Sequence, residues 1–96
     1  MSRERDIISV GEIVQSLAGR DKGWFFIVSS IDGEYVTLID GKKRRATSPK
    51  RKKLKHIKKV SSVSEELAEH ILSGNPIGNE RIAKAIKIAT QKIQED

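Results

Sequence analysis

The sequence predicts a mainly β fold with an α-helical C-terminal part: a small, strongly bent antiparallel barrel of four or five short strands, then a helical hairpin. Two patterns carry that expectation. Up to Val60, runs of β-branched and aromatic residues alternate with Gly- and Asp-containing turns. Strands this short, packed within ~50 residues, favour a bent barrel over a sandwich. After Val60, apolar residues recur at helical intervals instead. A third observation bears on function. Between Lys42 and Lys59 stand eleven Lys or Arg, one His and no acid. The chain holds 19 cations and 13 acids, so outside this segment 8 cations face 13 acids. A slightly acidic protein thus carries one concentrated positive segment, and a field focused in one place implies an anionic partner.

Residues 1–9 form a short arm of mixed charge, ending in apolar residues that suit docking on the domain. Gly11 opens a strand over Glu12–Ala18, with Ile13, Val14 and Leu17 suited to half burial. Gly19-Arg20-Asp21-Lys22-Gly23 makes a turn whose glycines allow positive φ. Trp24–Ile31 is the strongest strand. Phe25, Ile27 and Ser29 share one face and Trp24, Phe26 and Val28 the other, so the strand is expected to be central, or else one aromatic to be exposed. Asp32-Gly33 supplies a tight hairpin turn. The returning strand Glu34–Asp40 opposes Tyr35, Thr37 and Ile39 to Val36 and Leu38, and Gly41 breaks it. Arg44–Thr47 suits a further short strand, Ser48-Pro49 interrupts it, and Thr47–Lys53 is expected to be a mobile arm. Lys55–Val60 is the last strand, anchored inward by Ile57.

Beyond Val60, Ser62 and Glu65 stand at capping-box spacing. Val63, Leu67 and Ile71 form a helical stripe widened by Ala68 and Leu72, and Gly74 suits the C′ position. Asn75-Pro76 fits an N-cap with Pro at the first helical position, so a second helix starts there or at Asn79 and runs to Gln94. Ile82, Ala85, Ile86, Ala89 and Ile93 line one side of it, with Arg81, Lys84 and Lys87 pointing away. The expected division is residues 1–61 for the barrel with its arm and 62–96 for the helical extension.

Composition narrows the function. There is no cysteine, hence no disulfide, thiolate metal site or thiol nucleophile. No apolar run nears the ~20 residues of a membrane span, and the N-terminus lacks a signal-peptide core; a cytoplasmic protein without a membrane partner is expected. His56 lies among like charges and His70 beside Glu69 on a helix, with no metal-ligand spacing. The Gly19–Gly23 turn is followed by an aromatic strand rather than the Lys-Ser/Thr and helix of a P-loop. No enzyme, cofactor or metal is expected. The basic segment points to a polyanion, whose binding relieves mutual repulsion and releases counterions. Lys42, Lys43, Lys50, Arg51, Lys52, Lys53 and Lys55 supply point charges and forks, and Arg44 and Arg45 suit bidentate phosphate contact. The bland alternative is a solvated loop that aids solubility, a task acids perform as well and none is present there. Trp24, beside the turn, suits base stacking, whereas Phe25 and Phe26 suit the core.

Gly11-Glu12-Ile13-Val14, Ala18-Gly19-Arg20-Asp21-Lys22-Gly23 and the strand after them resemble the KOW motif of ribosomal proteins and transcription elongation factors. The continuation Tyr35–Gly41, Arg44-Arg45 and Leu54-Lys55-His56-Ile57 is similar to the branch of archaeal- and eukaryotic-type large-subunit ribosomal proteins. The resemblance covers Ser9 to Val60. It implies an SH3-like barrel of five strands that contacts rRNA, with Arg20, Lys22, Arg44, Arg45, Lys55 and His56 in contact positions. Trp24 and Phe26 depart from the motif, which often has a cation and a glycine there; loss of the glycine also occurs in this branch. The implied function is rRNA binding on the ribosome or during its assembly, through phosphates and RNA shape. Ribosomal proteins are possible partners of the helices. A protein-interaction module and a transcription-elongation accessory are the alternatives.

Overall fold

The structure, a computed structural model, describes residues 8–45, 48–75 and 77–94, with backbone alone from residue 92. Five antiparallel strands form one sheet: β1 (Glu12–Ser16), β2 (Phe25–Asp32), β3 (Tyr35–Ile39), β4 (Lys50–Lys53) and β5 (Ile57–Ser62). Their order is β4-β3-β2-β1-β5, so β2 is central, as its two apolar faces predict. A 3₁₀ turn, Leu54–His56, joins the two edge strands. Helices α1 (Glu65–Leu72) and α2 (Asn79–Gln94) follow. The architecture is thus mainly β with C-terminal α.

The alternation of side chains on each strand builds two cores. Val14, Phe26, Val28, Val36, Leu38 and Ile57 pack together on one face, with Ile8 and Leu54 against them. This cluster draws its buried residues from strands alone, including the non-adjacent β3 and β5, so the sheet is curled around it. Ile57 is the inward anchor its place in the basic segment predicts. On the opposite face Ile13, Ile27 and Ile39 meet Ile82 of α2, and Val63, Ile71, Ala85, Ile86 and Ala89 complete the layer. Both helices therefore pack on the sheet. An ion pair between Glu66 and Arg81 at 3.7 Å bridges them.

Several expectations shift when tertiary contacts are added. The two-residue hairpin loop is Gly33-Glu34, one position later than Asp32-Gly33, because Asp32 pairs with Tyr35. Gly33 has φ +63° and Glu34 a negative φ, the pattern of a type II′ turn. β1 ends at Ser16, leaving Leu17 43% exposed. β4 is Lys50–Lys53, after Pro49, where a mobile arm was expected; Arg44 and Arg45 instead belong to a turn, while Ala46 and Thr47 lie outside the described residues. Non-local pairing with β3 makes this strand, which its own composition does not favour. The last strand begins at Ile57 because Lys55 and His56 are in the 3₁₀ turn. Ser64, rather than Ser62, caps α1: its Oγ accepts from Leu67 N at 3.2 Å, and Ser62 ends β5. Gly74 follows α1 with its N–H on Ile71 O, and α2 begins at Asn79. Leu72 is exposed instead of joining its stripe. Residues 1–7, Pro76 and the Ile93 side chain lie outside the described residues.

Candidate nucleic-acid interface

Strand β4 sorts four consecutive cations by parity. Lys50 and Lys52 pair with Leu38 and Val36, whose side chains face the curled interior, so both ammonium stems start inward. Arg51 and Lys53 pair with Thr37 and Tyr35 on the other face. There Arg51 lies 3.9 Å from the Tyr35 ring centroid and Lys53 5.9 Å. The tyrosine ring holds a cation on its face by its quadrupole, and Arg51 stays exposed to solvent.

The inward pair needs a counter-charge, and Asp21 supplies it. Asp21 is 5% exposed and sits in the turn between β1 and β2. Lys52 Nζ donates to its Oδ1 at 2.9 Å and to Ala18 O at 2.9 Å. Ser16 Oγ lies 2.6 Å from the same Oδ1 and 3.0 Å from Ala18 O. Lys50 Nζ is 3.3 Å from Oδ2, an ion pair outside hydrogen-bond angles. Burial alone raises the Asp21 pKa, but the hydrogen bonds from Ser16 and Lys52, with the nearby Lys50 ammonium, outweigh it and hold the carboxyl at about 2, below the ordinary 3.8. The loop itself is closed by backbone bonds, Gly23 N to Ser16 O and Trp24 N to Asp21 O, both 2.9 Å, and both its glycines take positive φ as predicted. Asp21 was legible only as a turn former. A lone acid between two glycines, facing a chain with an acid-free run of eleven cations, is the signal that points to it.

The turn after β3 is built the same way. Asp40 Oδ1 accepts from the backbone N–H of Lys42 and of Arg44, each at 2.8 Å, and Arg44 O accepts from Asp40 N at 2.7 Å. Gly41 lies directly against the first turn of α2: a Cβ there would collide with Asn79 O. The turn sends Lys43 back over Trp24, with Nζ 4.8 Å from the ring centroid. Arg45 Nε donates to Lys42 O at 3.2 Å.

Three segments therefore meet at one corner: the β1–β2 loop with Arg20, Lys22 and Trp24, the β3–β4 turn with Lys42, Lys43, Arg44 and Arg45, and the start of β4. Arg20, Lys22, Lys42, Lys43 and Arg45 are exposed and Arg44 half-buried. From the corner the cations continue along β4 to the 3₁₀ turn, where Lys55 is exposed and His56 half-buried, its carbonyl accepting from Leu17 N at 2.8 Å. Among the described residues no acid pairs with Lys42, Lys43, Arg44, Arg45, Arg51, Lys53 or Lys55. Lys52 differs: its side chain is 9% exposed and its ammonium faces Asp21 and Ala18. The arrangement is an ordered ribbon of outward cations fixed to a sheet edge, with an exposed aromatic plane at one end. Such a surface offers positive charge to an anionic ligand; Asp21, the buried acid beside it, is engaged with Ser16, Lys50 and Lys52. No protein-family model matches the chain, and no curated protein matches it.

Proposed function

We propose that this protein binds structured RNA along the ribbon from the Gly19–Gly23 loop and the Asp40–Arg45 turn, down β4, to the Leu54–His56 turn. The observation that carries the reading is that these cations are folded onto a sheet edge with Asp21 as the inward counter-charge, leaving Arg51 and Lys53 without an acid partner among the described residues. Phosphates satisfy that charge, and a fixed row of cations reads the shape of an A-form backbone without reading bases. The resemblance to KOW ribosomal proteins supports rRNA as the target, on the ribosome or in its assembly. Arg51, Lys53, Lys43, Arg45, Lys55, Arg20 and Lys22 make contacts, whereas Lys52 holds the loop in position.

Two measurements test this. In a sedimented lysate the protein travels with ribosomal particles and is released by RNase; migration with neither ribosomes nor RNA at low salt contradicts the proposal. With a purified structured RNA, affinity falls steeply between ~50 and ~200 mM salt. The Arg51→Ala/Lys53→Ala pair lowers the slope of log K against log salt by about 2. An unchanged slope removes β4 from the interface.

A further inference from the structure

A groove of about 950 Å³ runs between α2 and the ends of β2 and β3, at the corner where the basic loops meet. Its walls join three chemistries. Trp24, 43% exposed, and half-buried Phe25 give an aromatic surface. Ile88, 54% exposed, gives an apolar rim on the helix side. Lys42 from the turn and Lys84 and Lys87 from α2 bring cations to both sides. Lys84 and Lys87 are three residues apart on α2, hence neighbours on its surface, and both are exposed. Among the described residues the only acid in the lining is Asp40, whose Oδ1 already accepts from two backbone N–H groups.

We propose that this groove takes an unpaired stretch of RNA, with a base stacked on Trp24 and its phosphates held by Lys42, Lys84 and Lys87. The inference rests on the RNA reading and extends it from a duplex face to a junction between duplex and single strand. An exposed indole beside cations, with an apolar opposite wall, matches the stacking platform and electrostatic funnel that hold single strands. An acidic peptide would use the lysines but leave the indole plane idle. Lys43, which lies over the ring, is placed to accompany the stacked base and meet the adjoining phosphate. Two of the cations lie on α2, outside the basic segment, so the groove is chemically separable from the ribbon.

Trp24 is the only tryptophan, so its emission reports on the corner where the groove meets the ribbon. The test compares a short blunt RNA hairpin with the same hairpin carrying a single-stranded adenosine tail, using the full chain and labelled RNA. The tailed RNA binds roughly 5- to 100-fold tighter and quenches Trp24 more strongly than the blunt one does. Lys84→Gln/Lys87→Gln, on exposed positions, removes most of the tail's advantage while blunt-hairpin affinity holds. Equal affinities with equal Trp24 emission for the two RNAs overturn the groove and leave the duplex face standing. Failure to bind either RNA overturns both. Equal quenching by an oligoglutamate peptide assigns the groove to acidic protein segments and overturns its assignment to RNA.

Discussion

Asp21 carries more of the molecule than its place in a turn implies. It lies inside the β1–β2 loop, yet it fixes the inward lysines of a strand some thirty residues away. Its carboxylate is favoured in the folded state, with a pKa near 2 against 3.8 when free. The sign follows directly: the unfolded chain takes up this proton first as pH falls. The contribution, on the order of 2 kcal/mol, is complete well above pH 3.8 and fades as pH drops from there through about 2. Asp21→Asn leaves Lys52 enclosed without its partner and costs roughly 2–4 kcal/mol, lowering Tm by on the order of 10–20 °C at neutral pH. Pairing Asp21→Asn with Lys52→Met recovers part of that loss, since the enclosed charge goes too. Thermal scans of the single and double variants, repeated toward pH 3, check both points. A single variant as stable as the parent at pH 7 contradicts this role.

At the level of elements, the local signals were enough for β2, β3, α1 and α2. Aromatic and β-branched runs, a glycine hairpin and helical stripes act over a few residues, and the observed spans follow them. β4 escaped because Lys50–Lys53 has neither apolar alternation nor β propensity. Its strand state is imposed by the ladder with β3 and by Asp21, both distant in sequence. The cap of α1 moved from Ser62 to Ser64 because β1 extends its ladder to Ser62 and so uses that residue. The same division holds for the interface. Its charge was plain in the sequence, but the parity that sends Lys52 inward and Arg51 outward exists only once the register is set. The docking of α2 on the β3–β4 turn depends on Gly41, with φ +77° and no room for a Cβ beside Asn79. Gly41→Ala forces that turn or the start of α2 to move, at about 1–3 kcal/mol, and speeds hydrogen exchange of α2 amides. Gly33→Ala has open space around it and leaves α2 exchange at the parent rate. Equal effects on α2 from both substitutions contradict the contact.

At the scale of the whole molecule, the sheet is covered on both sides, by its own curvature on one and by the helices on the other. Ile13, Ile27 and Ile39 would face water without α1 and α2, so the helical tail completes the core that holds the basic edge in place. The order of assembly follows from the topology. β1 pairs with β5, with Glu12 opposite Ser62, so the chain must close a long loop before that ladder forms. The segment between β1 and β5 contains nine of the eleven cations between Lys42 and Lys59, and Lys58 and Lys59 lie in β5 itself. In the unfolded chain these charges repel and hold the loop open. Salt shortens the reach of that repulsion, from about 10 Å at 0.1 M to about 3 Å at 1 M. Refolding followed by Trp24 emission is therefore faster at high salt, and a rate that falls as salt rises contradicts this. Ionic strength then acts on the protein in opposite senses at two moments of its life. It helps the chain close the seam between its first and last strands, and under the RNA-binding proposal it loosens the finished molecule's hold on its ligand, so a nascent chain gains from counterions that its mature form must shed.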